Sequence, residues 1–405
     1  MKCATFVLAL ILSASALWAQ GLAPAAAKDA PAPATSDAPT ARPAAPEGGP
    51  ATSAPAVKEE GPLAGQTIGL SGNRRATVVK SEGLPFVENE YSRLFTWERY
   101  ESPKLRLLRE KYKLDEVVAP GKTEFEKQVL LMTWAKSCFP FGSPPQGKDG
   151  LRNALEILDD AAKPGVKFFC VQYSSVFGAA AQALGWPTRQ MAIPQHSFPE
   201  VWSNQYGKWV MLDPTPCAYA EKNGVPLNSF EIRHEWFRSD RKALTWVLAK
   251  PGKPSERRPA ADSDKAPISV VRYYVLGYVP NADWLDSAPD WGRMFITKDD
   301  LAAEKPKWHT RKNPADPANE PYFPLNQATM TLLPGGPDLR VVLRTLTPNF
   351  KEFQTRASAD GPWQSAGDGT NVTWRLKAGR QTFQARSVNK FDVAGPVSTV
   401  EIEVQ

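Results

Sequence analysis

Cys170, His196 and Asp213 follow one another in an order that suits thiol chemistry. A thiolate is a strong nucleophile toward a carbonyl carbon. An imidazole can take the thiol proton and later hand it on, and a carboxylate can hold that imidazole in one tautomer. Cys170 opens a run in which Tyr173, Phe177, Ala180 and Leu184 recur on one helical face. A cysteine at a helix start meets free N–H groups and the positive end of the dipole, which favour the thiolate. Taken alone, Cys170 is better explained as a small buried hydrophobe. His196 alters that balance, because the chain has only 3 histidines, His196, His234 and His309. Past Leu184 the hydrophobic period changes to two, so 196–202 and 208–213 read as strands joined by a short turn at 203–207. A turn centred between Asn204 and Gln205 sets His196 opposite Asp213, Phe198 opposite Met211 and Glu200 opposite Trp209. Opposed Cβ atoms lie roughly 5 Å apart, within hydrogen-bond reach for a carboxylate and an imidazole. Pro199 is a warning, since proline in a strand needs an edge or a bulge, and a bulge shifts the register. Glu200 shares the face of His196 but lies roughly 13 Å along the strand. It is expected to make a structural hydrogen bond or salt bridge.

The elements that position these residues are legible nearby. Thr123 to Glu126 has the form of a capping box, and Phe125, Val129 and Met132 follow at helical spacing. Leu151, Ala154, Leu155 and Leu158 suit a second helix that stops at Pro164-Gly165. The helix opened by Cys170 meets Gly185, where a left-handed cap is wanted, and then Pro187. A polar loop at 251–267 precedes a strand-like run from Ile268 to Val279. The stretch 280–324, rich in Pro, Asp and Trp, is placed with the preceding domain as a packed extension. From Leu325 onward alternation such as Val400, Ile402 and Val404 against Glu401, Glu403 and Gln405, with recurrent Gly/Pro/Asp turns, predicts a small β-sandwich. That segment has no cysteine and no histidine, so it is expected to be dispensable for bond cleavage.

Several of these stretches resemble known families. Cys170-x-x-Tyr173, Ala183-Leu184-Gly185-Trp186-Pro187-Thr188-Arg189, His196-Ser197-Phe198-Pro199-Glu200-Val201-Trp202 and Gly207-Lys208-Trp209-Val210-Met211-Leu212-Asp213-Pro214-Thr215 together resemble the transglutaminase-like superfamily. The resemblance is densest over 165–220. It implies an α+β fold, with a papain-like core of helices packed on an antiparallel sheet, followed here by the all-β sandwich. It also implies Cys170 as nucleophile, His196 as general base and acid, and Asp213 as the residue that orients it. Phe168-Phe169 depart from the family, which commonly has a small residue two before the cysteine; they would narrow the substrate groove, line an apolar subsite or occlude the site. Phe198 stands where Trp is more usual. Trp374 to Val404 resembles the last strands of fibronectin type III or immunoglobulin-like modules, which bind or space things and imply no activity.

The 405 residues divide on this reading into a signal peptide (1–19), an Ala/Pro-rich spacer (20–65), a transglutaminase-like domain (66–324) and the sandwich (325–405). Lys2 and the apolar run Ala4–Leu12, followed by small residues, carry the signal and a secreted, periplasmic or extracellular, destination. No stretch is long and apolar enough to suggest a membrane span. Residues 20–65 lack aromatics and period, so they cannot bury enough to offset ordering entropy. A net charge of +6 with acids and bases interspersed gives no basic stripe, which speaks against nucleic acid as a partner. No Cys-x-x-Cys occurs and the histidines are dispersed, so neither metal nor other cofactor is expected. Signal removal leaves Cys138, Cys170 and Cys217. If Cys170 stays reduced, either Cys138 and Cys217 are bridged or they are two separate thiols. The N–H of Cys170 is one donor for an oxyanion, and a second is unassigned. The expected function is cleavage or transfer of an amide bond in a peptide, glycopeptide or cell-wall peptide, with surface or polysaccharide contact through the C-terminal module. Two alternatives stand beside it: a non-catalytic binding or scaffolding protein on the same fold, and a protein cross-linking acyl transferase. Nothing marks an amine-acceptor site or calcium loops, so hydrolysis is preferred to cross-linking.

Overall fold

The computed structural model describes residues 63–238, 241–262, 266–268, 276–286, 294–297, 314–315 and 320–405. The signal peptide, nearly all of the spacer, most of the 280–324 extension and the middle of the 268–279 run lie outside the described residues. In chain order the elements are β1 (Thr67–Gly69), β2 (Arg75–Glu82), α1 (Glu90–Leu94), α2 (Pro103–Lys111), α3 (Leu114–Val118), α4 (Glu124–Ser137), α5 (Ala154–Ala161) and α6 (Cys170–Ala183). Then come β3 (Thr188–Ile193), β4 (His196–Ser203), β5 (Lys208–Met211), β6 (Ala218–Lys222), β7 (Val225–Pro226), α7 (Ser229–Arg238), β8 (Leu244–Lys250) and β9 (Lys253–Pro259). The short strands β10 (Gly277–Val279), β11 (Phe295–Thr297) and β12 (Pro314–Ala315) follow. Last are β13 (Thr329–Gly335), β14 (Asp338–Arg344), β15 (Phe350–Arg356), β16 (Gln364–Gly367), β17 (Asn371–Trp374), β18 (Gly379–Asn389) and β19 (Ser398–Val404).

Local chemistry explains where the helices begin and end. Thr123 accepts from the Glu126 N–H and Glu126 reaches back to the Thr123 N–H, the two halves of the box that opens α4. Asn153 caps α5 by accepting from Leu155 and Glu156. Helix α6 ends as a Schellman turn, with the Trp186 N–H on the Ala181 carbonyl and the Gly185 N–H on Gln182, each at 3.0 Å. Gly185 sits at φ +83°. One expectation for α6 needs correction. The sequence pattern suggested a single inward face, but every residue from Val171 to Ala183 is buried. Helices α2, α4 and α5 pack against it, and so do β3 and β4. Ala179, Ala180, Ala181 and Ala183 permit that approach on all sides, and the Thr188 hydroxyl donates to the Gly178 carbonyl at 3.1 Å.

Sheet β12-β11-β10-β3-β4-β5 lies beside α6, and a four-stranded sheet, β7-β6-β8-β9, is inserted in the chain between its β5 and β10. The β3–β4 ladder is regular through Pro199, which faces Gln190. The Trp202 N–H bonds the Pro187 carbonyl on the β3 side. Residues alternate along a ladder, so the Pro199 nitrogen faces the other way, where β5 has already ended at the Glu200–Met211 pair. Proline removes no bond there, and no bulge forms.

The strands from 329 onward form two sheets, β13-β14-β17 and β1-β2-β19-β18-β15-β16. Residues from both, among them Leu332, Val341, Trp374, Phe383 and Ile402, share one apolar cluster with Ile68 and Val78. The boundary at 66 therefore needs correction. Strands β1 and β2 do not join the sheets around α6; β2 pairs with β19, with Val78 opposite Ile402. This sheet is built from both ends of the described chain: β2 pairs along the hydrogen-bonding edge of β19 and sets Val78 beside Ile402 on the apolar face.

The joint between the two halves includes Gly185. Asn389 donates to the Gly185 carbonyl at 2.9 Å, and a Cβ on Gly185 would stand 2.7 Å from the Phe391 Cβ. Gly185→Ala meets both that clash and a left-handed backbone. It is expected to lower unfolding stability by roughly 1–3 kcal/mol with the urea m-value unchanged. Equal urea midpoints for variant and wild type would contradict this account.

Candidate active site

Cys170 is the first residue of α6, and its N-cap, Phe169, offers no side-chain cap. The first amides of an α-helix have no intrahelical acceptor, so this end is a ready donor array. Phe168 and Phe169 divide their roles. Phe168 is fully buried against Phe139, with ring centroids 5.2 Å apart, so it belongs to the core. Phe169 is only partly buried. A short parallel bridge between Phe141 and Phe168 secures the approach to Cys170, and the Gly142 N–H bonds the Phe168 carbonyl at 2.9 Å.

His196 opens β4, and Asp213 follows β5 in an isolated bridge with Ala218. Their side chains meet: Nε2 of His196 lies 2.7 Å from Oδ2 of Asp213. Cys170 lies close enough to the same imidazole to interact with it. With Nε2 engaged by the carboxylate, Nδ1 is the nitrogen left for the sulfur. The His196 side chain is 9% exposed and that of Asp213 is 0%. Burial opposes the charged imidazole, but the Asp213 carboxylate and Cys170 together outweigh it and push His196 up to about 10.

The hairpin register differs from the sequence expectation. Glu200 faces Met211, Trp202 faces Trp209 and Ser203 faces Lys208. The turn spans Asn204 to Gly207, with Gly207 at φ +60°. Glu124, at the start of α4, gathers the donors of Ser203 (3.1 Å), Asn204 (3.1 Å) and the Gln205 N–H (3.2 Å). These contacts move the turn centre one residue along the chain and displace the pairing by two. A displacement of two leaves every side chain on its face, so His196 and Asp213 still meet.

Glu200 is buried in a structural role. Its Oε2 accepts from Arg189 Nε at 2.9 Å and Nη2 at 2.7 Å, and its Oε1 accepts from the Ser229 N–H at 2.8 Å. The Arg189 guanidinium also stacks over Trp209 at 4.2 Å and Tyr322 at 4.5 Å.

The three described cysteines are all free, so no bridge joins Cys138 and Cys217. The Cys138 thiol lies 3.3 Å from the Trp134 carbonyl, inside its own helix. Burial pushes both Cys138 and Cys217 up to about 12, which leaves them protonated and inert at neutral pH. Buried Arg152 lies within electrostatic reach of Cys170. Sequence reasoning missed this arginine, as it missed the Thr215 N–H that donates to Asp213 Oδ1 at 3.0 Å. The second had a signal, since Asp-Pro-Thr is the kind of tripeptide whose Asp side chain bonds the backbone two residues on. Among the described residues no cluster of three or more His, Cys, Asp or Glu is placed to hold a metal ion, and no described helix is long and apolar enough to cross a membrane.

The comparison with known families bears on the same stretch. Residues 112–214 match the model of the transglutaminase-like superfamily. The matched segment runs from the end of α2 to the residue after Asp213 and contains Cys170 and His196. The chain thus carries a transglutaminase-like domain, a class that includes cysteine enzymes. Among curated proteins, none matches the chain.

The raised His196 value ties stability to pH. An imidazole whose folded value lies above its ordinary one stabilises the fold fully below about 6.5. That contribution is lost as pH rises through about 10. The stability gap between wild type and His196→Gln is therefore expected to narrow steadily between pH 6.5 and 10 in urea titrations. A gap that stays constant or widens across that range would refute the assignment.

Proposed function

We propose that the chain is a secreted thiol enzyme that cleaves, or transfers, an amide bond of a peptide, glycopeptide or cell-wall peptide. The observation that carries this reading is one imidazole, His196, hydrogen-bonded to Asp213 and close enough to Cys170 to interact with it, inside the transglutaminase-like domain. Secretion rests on Lys2 and the apolar run Ala4–Leu12. The strands from 329 are taken as an immunoglobulin-like module that contacts a surface or polysaccharide.

The chemistry follows from the groups present. The Cys170 thiolate attacks the amide carbonyl carbon, and the carbonyl π electrons move to oxygen. The unpaired N–H groups at the α6 start, that of Cys170 among them, face the resulting oxyanion. The imidazolium gives its proton to the departing amine as the C–N bond breaks, leaving a thioester on Cys170. The now neutral imidazole takes a proton from water, whose oxygen attacks the thioester. The acid leaves and the thiolate–imidazolium pair returns. Asp213 accepts from Nε2 throughout, holding the tautomer and stabilising the cation. In transfer, an amine replaces the water.

The test is digestion of a peptide and glycopeptide library by the full chain, read by mass spectrometry. Cys170→Ala is expected to lose at least about 10³-fold in turnover, and Asp213→Asn roughly 10²-fold or more. Cleavage that persists undiminished in Cys170→Ala would overturn the assignment. Cleavage by neither protein across the library would favour a binding role for the fold.

A further inference from the structure

The turn that carries Asp213 is held by a charged group outside the reactive trio. The turn is closed at its base by Asp213 and Ala218, which exchange N–H···O bonds of 3.0 Å each. Between them Cys217 adopts a left-handed backbone at φ +56°, a conformation that a non-glycine residue rarely takes. Near the apex, Lys136 in the last turn of α4 donates from Nζ to the Thr215 carbonyl at 2.7 Å. Thr215 in turn donates its N–H to Asp213 Oδ1 at 3.0 Å, and Asp213 Oδ2 holds His196 Nε2 at 2.7 Å. An unbroken run of short contacts leads from α4 to the imidazole.

We propose that Lys136 is a positioning residue: by anchoring the Thr215 carbonyl it holds the Asp213 carboxylate in line with His196 and hence with Cys170. The proposal rests on the reading of Cys170 as nucleophile. The placement of the ammonium supports it. Nζ lies 4.9 Å from the Tyr173 ring centroid, and the Tyr173 hydroxyl is itself tied to the Phe139 carbonyl, so the cation sits in a fixed aromatic and carbonyl cradle. A lysine ammonium is strongly hydrated, and removing part of its water is costly. Here burial works against its charge, while the Asp213 carboxylate works for it. Around His196 the interacting groups are Asp213 and Cys170, and Arg152 lies within electrostatic reach of Cys170. Lys136 therefore reaches the imidazole through the geometry of Asp213 rather than by its own field.

The experiment follows the imidazole C–H resonances of the full chain, with labelled histidine, through a pH titration. It is run on wild type, Lys136→Met and Lys136→Arg, with the rate of Cys170 alkylation by iodoacetamide at pH 7 measured by mass spectrometry on the same samples. Methionine keeps the stem and removes the donor; arginine keeps donor and charge. In Lys136→Met the His196 midpoint is expected to fall by about one pH unit or more toward the ordinary imidazole range, with alkylation slowed about tenfold. Lys136→Arg is expected to track wild type in both. The His234 resonance, from α7, reports that the fold is intact. A wild-type His196 midpoint in Lys136→Met overturns the proposal. So does an arginine variant that behaves like methionine, or loss of the native His234 shift in Lys136→Met, which would make Lys136 a plain stability residue. A wild type whose Cys170 reacts no faster than a cysteine in the urea-unfolded chain strikes the thiol-enzyme reading itself, and the proposal with it.

Discussion

The buried pair of Arg189 and Glu200 is the contact on which the rest of the domain depends. Both side chains are 0% exposed, and the residues face each other across the β3–β4 ladder. Two buried charges are tolerated only when each is matched and hydrogen-bonded, and removing one partner costs roughly 3–5 kcal/mol because the other is stranded. Here the matching is thorough. Glu200 gathers Arg189, Ser229 at the start of α7 and the Tyr322 hydroxyl, and Arg189 also donates to the Pro321 carbonyl. One ion pair thus pins the register of β3 on β4, the origin of α7 and the segment at 320–323. His196, four residues before Glu200 on the same strand, takes its place from that register.

Much of this arrangement was legible in the sequence, for a physical reason in each case. Thr123 with Glu126, and Gly185 with Pro187, are local signals, because capping bonds join residues three to five apart. The meeting of His196 with Asp213 was legible as a shared face, since the period of a strand fixes faces more firmly than register. The register itself was not, because Glu124 lies about eighty residues from the turn it organises. The pairing of β2 with β19 was hidden for the same reason: nothing in 75–82 announces a partner at the far end of the chain. Helix α6 misled in another way. Its pattern suggested one buried face, whereas its alanines and Gly178 are small enough to be packed from every side.

Cysteine shows how little residue type decides by itself. Cys138 is closed in by its own helix and Cys217 by the Asp213 turn, and burial keeps both as thiols. Cys170 is set apart by the surroundings the fold supplies: the open amides at the start of α6, and His196 and Arg152 within electrostatic reach. Each comes from a different part of the chain.

Helix α6 also connects the site to the C-terminal sheets. It carries Cys170 at its first residue, and about 20 Å further on, at 1.5 Å per residue, it delivers Gly185 to Asn389, Phe391 and Val393. Beside that joint, Asn349 donates to the Glu98 carbonyl at 2.9 Å, and the Gln182 side chain accepts from the Glu98 N–H at 2.7 Å. Asn326 reaches Asn204, in the turn after His196, at 2.9 Å. The C-terminal strands therefore touch both elements that present the reactive groups, the helix of Cys170 and the hairpin of His196. Since β2 lies ahead of the transglutaminase-like domain and completes the same sheet, cutting the chain at 324 would strip β2 of its partner and α6 of its cap. The expectation of a detachable module came from its lack of cysteine and histidine. Its bearing on the site lies instead in its backbone and amide contacts, which fix where the helix and the hairpin stand.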